Sequence, residues 1–388
     1  MSSRPLLSLR SILLPMLLVG CGPIGSEGAP RDPTGSGGAG VGGAGGSAGG
    51  GGGSGPGGGT PSPDGGEDAA PPDDDGGRVG PPIAPGGYYV EGPTIYNAAG
   101  RPHLFHGLDR PSLEWNAAGD KLSTDDYRLM ASWKANVVRL SLNQGFWLPG
   151  SSVHAAGYER VVEQNVANIE AEGMDVILDL HWSDKGDFAT KPAQQRMADQ
   201  NSLTFWRAVA EKFKGDGRVI FELYNEPHDV EWPVWKNGGT SGDGFTVVGM
   251  QALYNAVRET GAHNLVIIGG LRFAFDLSGV PQHRIQGYNI VYATHPYNYA
   301  DKQQASWQAA WGFLAATDPI IITEFGDTTG NCSPGYNMQV IDYATSRRLS
   351  WTGWAWYVSG CAFPSLIADW SGTPTAAGQV AKNALLAY

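Results

Sequence analysis

Eight short apolar runs, at residues 104–108, 137–140, 176–180, 219–223, 265–268, 290–293, 320–323 and 351–355, restrict this 388-residue chain to very few folds. Most are apolar at consecutive rather than alternate positions, which is the pattern of a strand covered on both faces. Between them lie longer amphipathic stretches at 124–133, 158–172, 203–213, 245–260, 305–315 and 338–347, and a last one at 376–386 closes the chain. Strands that alternate with helices give parallel sheets, and eight such units across some 300 residues fit a (β/α)₈ TIM barrel of ordinary size. The connection from 270 to 288 is the poorest in helical pattern and has room for only a short helix. A doubly wound open sheet is the alternative, but no glycine fingerprint of a dinucleotide site follows the first strand. Residues 88–96 with Asn97-Ala98-Ala99-Gly100 read as a small hairpin or lid at the N-terminal side of the barrel.

Everything before residue 88 has a different character. Arg4 and Arg10 precede an apolar stretch from 12 to 19, too short for a permanent span, so residues 1–21 read as a targeting segment. Leu18-Val19-Gly20-Cys21 resembles the lipobox of bacterial lipoproteins, which implies cleavage before Cys21 and lipidation of that cysteine; an ordinary secretory signal is the alternative. Residues 22–87 hold 27 of the 57 glycines together with many prolines and an acidic cluster, and lack the apolar side chains needed to offset chain entropy. They read as a disordered tether spanning roughly 45 Å. The protein is thus expected to be exported, at the outer membrane or cell surface as a lipoprotein or else secreted, touching membrane only through its N-terminus. With Cys21 assigned, Cys332 and Cys361 remain in an oxidising compartment. In a barrel they occupy neighbouring loops of one rim, and a disulfide between them is expected.

A net charge of −12 with no basic stripe argues against nucleic acid or anionic lipid as a ligand. Sparse charge with 13 Trp and 15 Tyr suits a neutral, ring-shaped ligand that stacks on aromatic faces. Glu226 and Glu324 each stand where an apolar run ends, in Phe221-Glu222-Leu223-Tyr224-Asn225-Glu226 and Ile320-Ile321-Ile322-Thr323-Glu324. Carboxylates at such positions lie at the C-terminal mouth of a barrel, where active sites are assembled. The other residues just past the runs are Asp109, Arg110, Arg139, His181, Trp182, Asn225, His295, Tyr297 and Trp356, and all are expected to converge on that face. Cleavage of an acetal between sugars needs one carboxylic acid to protonate the leaving oxygen and one carboxylate to attack the anomeric carbon. Arg139 and Tyr297 suit Glu324 as the ionised partner, while Glu226 is the acid. Asn225 offers an amide for the sugar 2-hydroxyl, and Trp356 a flat floor. Trp115, Trp147, Trp182, Trp232 and Trp235 are further candidate platforms. Metal hydrolysis is the chemical rival, but His181 and His295 are isolated from other metal-ligating residues in sequence. No G-x-S-x-G elbow follows a strand.

The ordered set Val138-Arg139-Leu140, Asp179-Leu180-His181-Trp182, Asn225-Glu226-Pro227, His295-Pro296-Tyr297, Thr323-Glu324-Phe325-Gly326 and Trp354-Ala355-Trp356 resembles glycoside hydrolase family 5, the cellulase family, from about residue 88 to the C-terminus. The resemblance implies a retaining β-glycosidase of 88–388 with Glu226 as acid/base and Glu324 as nucleophile. Arg139, His181, Asn225, His295, Tyr297 and Trp356 would form the sugar site where cleavage occurs. An endo-β-1,4-glucanase is the leading expectation and a β-mannanase or another β-glycosidase of the family the alternative. A non-catalytic carbohydrate-binding surface lipoprotein is the reading from a different class. A monomer without metal or organic cofactor is expected. Two places depart from the family pattern: Leu108-Asp109-Arg110, where an asparagine is frequent, and Leu271-Arg272-Phe273, where many members carry a tryptophan.

Overall fold

The computed structural model describes residues 80–388. Eight parallel strands close a barrel in chain order: β1 His106–Arg110, β2 Val137–Asn143, β3 Asp175–Trp182, β4 Val219–Glu222, β5 Val266–Gly269, β6 Ile290–Thr294, β7 Ile320–Ile322 and β8 Ser350–Gly353. This is the TIM barrel expected from the eight runs. The first strand starts two residues later than its apolar run suggests, so Asp109 and Arg110 lie within β1, where Asp109 stands beside Arg139 in register.

The helices α1 Thr124–Ser132, α2 Tyr158–Ala171, α3 Gln200–Phe213, α4 Met250–Arg258, α5 Gln304–Ala310, α6 Pro334–Arg347 and α7 Ala376–Ala387 fall on the expected stretches. Their starts are fixed locally: Ser123 caps α1 and Asp199 closes a capping box with Ser202 on α3, satisfying amide groups that the first turn leaves free. Helix α4 is shorter than its pattern because Thr246–Val247 pairs instead with Gly239–Thr240 in a two-stranded ribbon. Among the described residues the connection from β5 to β6 carries no helix. It turns sharply through Arg272, Phe273 and Ala274, all with φ between 52° and 59°.

Side chains two apart on a strand share a face, and this period stacks the barrel interior in layers. Val137, Ile177, Ile220 and Ile321 belong to an apolar base. Two residues further along each strand stand Arg139, Asp179, Glu222 and Thr323, all fully buried. The hairpin of Tyr88–Glu91 with Thr94–Asn97 closes the base from below, contributing Tyr88 and Ile95 to the same apolar cluster. Tyr88 donates to Asp175 at 2.5 Å.

Of the segments read as signal and tether, residues 1–79, Cys21 among them, lie outside the described residues. Residues 80–87 are described, and there the chain is fastened to the base: Asn289 donates to the Pro82 carbonyl at 2.9 Å, and the Gly217 amide to that of Pro85 at 2.9 Å. Cys332 and Cys361, in the loops after the paired strands β7 and β8, form a disulfide with Cα atoms 4.7 Å apart. Among the described residues no helix is long and apolar enough to cross a membrane.

Candidate active site

Arg139 is the hub of the polar layer. Its Nε donates to Glu222 at 2.5 Å, Nη1 to Glu324 at 2.7 Å and to Asp109 at 3.1 Å, and Nη2 to the Asn225 carbonyl oxygen at 2.7 Å, with Asp179 at 3.0 Å. One guanidinium therefore faces four carboxyl groups. Burial works against its charge, but Asp179, Glu222, Glu324 and Asp109 overrule it and raise its pKa further. The carboxyls respond to the shortage of cations. Burial outweighs Arg139 and pushes Asp179 and Glu222 up to about 7, and Asp109 well above the ordinary range.

Above this layer, Glu324 follows β7 by two residues and is buried. Its second oxygen accepts the Tyr297 hydroxyl at 2.7 Å, so each carboxylate oxygen receives a hydrogen bond, one of them from a cation. Glu226 sits across the mouth with 18% of its side chain exposed, and burial raises its pKa against the opposing charges of Lys302, His181, His228 and Arg139. One oxygen of each glutamate and a ring nitrogen of His295 all lie within 4.8 Å of one another.

Hydrogen bonds fix both histidines as neutral rings. Thr323 donates to Glu222 at 2.8 Å and so accepts from His295 Nε2 at 2.9 Å, which leaves His295 Nδ1 bare toward Glu226 at 3.1 Å. A bare nitrogen there is a hydrogen-bond acceptor, and burial holds His295 down to about 3. Asn225 donates to His181 Nε2 at 3.3 Å, so His181 donates through Nδ1 to Asp179 at 2.6 Å; burial lowers it to about 4. Glu226, His295 and Glu324 offer the donor types of a cation site, but both oxygens of Glu324 already accept hydrogen bonds and a guanidinium stands 2.7 Å away. That donor set fits carboxylate chemistry better than a metal.

The structure brings together Glu226, Glu324, Arg139, His181, Asn225, His295 and Tyr297, as expected. Trp356 is a correction. It is fully buried, its indole donates to Asp126 of α1 at 2.7 Å, and it packs edge-on against Trp133. The strand ends at Gly353, so alternation no longer carries Trp356 to the inner face; Trp354 takes that place, lying parallel to the His181 ring at 5.7 Å. Arg110 likewise points outward, its Nε 2.6 Å from Asp126. Trp147 and Trp235 are buried at 5% and 0% exposure and cannot serve as platforms, whereas Trp115, Trp182 and Trp232 remain partly exposed. Asp179, Glu222 and Thr323 complete the layer but fall inside the apolar runs and not just past them; their spacing of two from the buried Ile177, Ile220 and Ile321 is the signal that marks them. A groove of about 650 Å³ opens on the same rim, lined by Arg196, Asp229, Glu231, Trp232 and Arg272 among others.

A (β/α)₈ barrel with two facing glutamates on its C-terminal rim has the layout for acid-assisted cleavage of an acetal. Residues 96–360 match the family described as cellulase, glycosyl hydrolase family 5. The chain is 26% identical over 317 residues to endoglucanase E-5 of Thermobifida fusca, covering 76% of this chain and 63% of that protein. It is 23% identical over 273 residues to an endoglucanase of Clostridium saccharobutylicum, covering 69% and 56%. It thus spans less than two thirds of the length of these relatives. Among solved structures, a β-glucanase of Saccharophagus degradans superposes with a TM-score of 0.65 at 22% identity, covering 78% of this chain and 93% of that one. The chain belongs to glycosyl hydrolase family 5, the cellulase family.

Proposed function

We propose that this protein is a retaining endo-β-1,4-glucanase acting by double displacement. The observation that carries the reading is the approach of the Glu226 and Glu324 oxygens to within 4.8 Å. Retaining glycosidases hold their carboxyl groups about 5–5.5 Å apart, whereas inverting ones leave about 6.5–9.5 Å for a water. In the first step a Glu324 oxygen bonds to the anomeric carbon, the bond to the leaving oxygen breaks, and that oxygen takes the Glu226 proton. In the second step water attacks the same carbon, Glu226 accepts its proton, and the Glu324 carboxylate is released. Arg139 and Tyr297 each donate a hydrogen bond to one oxygen of Glu324 and fix its orientation toward the anomeric carbon. His295 Nδ1, 3.1 Å from Glu226, positions that carboxyl across the mouth. The Asn225 amide is engaged by Gln194 at 3.0 Å and by His181 at 3.3 Å, and the longer contact is the one a sugar 2-hydroxyl displaces. Trp354 takes the role of aromatic floor. Glucan as the substrate is supported by the relatives named endoglucanase and by a cellotetraose complex of the Saccharophagus β-glucanase.

Reducing-end release from carboxymethyl cellulose, glucomannan and xylan tests the activity. Release from none of them refutes the enzyme reading and leaves a carbohydrate-binding protein; release from glucomannan alone points to a mannanase. With an aryl cellobioside of low leaving-group pKa, Glu226→Gln keeps measurable turnover while Glu324→Gln has none, and the reverse pattern exchanges the two roles. The N-terminal segment supports export as a lipoprotein anchored through Cys21; a Cys21→Ser variant that still partitions with membranes contradicts this.

A further inference from the structure

The loop after β6 carries the cation whose charge acts most strongly on Glu226. Lys302 is 6% exposed, and its ammonium lies 5.3 Å from the Phe275 ring centre, 5.8 Å from Phe273 and 5.9 Å from Tyr299. Among the described residues no carboxylate comes within 4.0 Å of it, because the adjacent Asp301 is held by Arg272 at 2.5 Å. The cage sits on the acid side of the cleft. Phe273 stacks on His228 at 4.1 Å, and His228 contacts the Glu226 carbonyl oxygen at 2.8 Å. The leaving sugar must be on this side, since Glu226 delivers its proton there. Tyr299 is 52% exposed and extends the cage outward as an open aromatic face.

Aromatic faces attract the ammonium, but they give it no hydrogen-bond acceptor. Burial lowers the Lys302 pKa, with Glu226 and then Asp301 acting the other way. In the state ready to react Glu226 is protonated and neutral, so its charge no longer balances Lys302 when the leaving sugar binds. To the ammonium a sugar hydroxyl offers an uncharged acceptor, whereas a carboxylate offers an acceptor and the opposite charge together.

Building on the glucanase reading, we propose that Lys302 and Tyr299 form a leaving-group subsite that selects a carboxylate-bearing sugar, either a uronate within a β-glucan or an aldonate at its reducing end. The test compares kcat/KM of the full chain on cellotetraose, on a tetraose with one C6-oxidised unit, and on a tetraose ending in an aldonate, with products identified by mass. Wild-type enzyme is expected to prefer at least one acid over the neutral tetraose by about tenfold or more, the scale of one hydrogen bond to a charged group. The acid arm that shows the preference identifies the source of the carboxylate. Lys302→Met is expected to bring the ratio close to one, Lys302→Arg to keep most of it, and added salt to narrow it in the wild type. A wild-type enzyme that cleaves cellotetraose without favouring either acid refutes the subsite alone, as does a preference that survives Lys302→Met. Failure to cleave any tetraose refutes the glucanase reading and the subsite with it.

Discussion

Replacing Arg139 by methionine removes the one cation of the polar layer while filling much of its volume. The side chain is fully buried and contacts Glu222, Glu324, Asp109 and Asp179 at 2.5, 2.7, 3.1 and 3.0 Å. Breaking a buried ion pair by deleting one partner costs about 3–5 kcal/mol, because the other charge is left uncompensated. Here the cost depends on pH in a defined direction. Burial already holds Asp179 and Glu222 at about 7, against ordinary values of 3.8 and 4.5, and Arg139 is what opposes a further rise. Carboxyls whose folded pKa is raised bind protons more tightly in the native state, so their contribution to stability is present in acid and lost as pH rises through the folded value. Without Arg139 that loss is larger and extends further above pH 7. The deficit of Arg139→Met is therefore expected to be about 3–5 kcal/mol near pH 8.5 and to shrink toward about pH 5.5, where both carboxyls are protonated in either protein. Urea unfolding followed by the fluorescence of the 13 tryptophans measures it. A deficit equal at the two pH values, or larger in acid, refutes this account of the layer.

Trp356→Ala is expected to lower stability by about 3–5 kcal/mol with little change in KM, whereas Trp354→Ala cuts kcat/KM by about tenfold, the scale of a ring-stacking contact, and leaves the unfolding midpoint near the wild type; exchanged outcomes refute the assignment of the two indoles. Opening the Cys332–Cys361 bridge, which closes a 29-residue separation, is expected to cost about 3–4 kcal/mol from loop entropy, read as the difference in unfolding with and without reductant. Activity is expected to fall as pH rises through the Glu226 pKa, which burial has raised, and to show no histidine limb between about pH 5 and 8, since His181 and His295 are held at about 4 and 3. An alkaline limb at about 4.3, the value of a free glutamate, contradicts the raised Glu226.

The glutamate pair was legible in the sequence because strand pattern alone fixes where a parallel barrel strand ends, and Glu226 and Glu324 stand just past such ends. Tyr297 was legible for the same reason, Arg139 as a charge inside an otherwise apolar run, and their placement around Glu324 followed from chemistry. The aromatic floor was not. Trp354 and Trp356 are two apart and would share a face in a continuing strand, but the strand stops before both, and the turn that follows is set by packing against α1. Asp179 and Glu222 could have been found from strand periodicity, since each stands two residues after a buried isoleucine. Lys302 gives no such signal. Its cage is assembled from residues 273, 275 and 299, and the sharp turn through Arg272, Phe273 and Ala274 that orients one wall has no marker glycine.

The hairpin under the barrel caps an interior that side chains already fill. Tyr88, Ile95 and Phe105 belong to the apolar base, so the end of the barrel opposite Glu226 and Glu324 is closed by packing alone. The same plug separates two kinds of change: substitutions around Tyr88 and Asp175 act on how firmly the barrel closes, while those around Glu226, Lys302 and Trp354 act on which chain is cut, so a sturdier enzyme can be sought at one end without redrawing its specificity at the other.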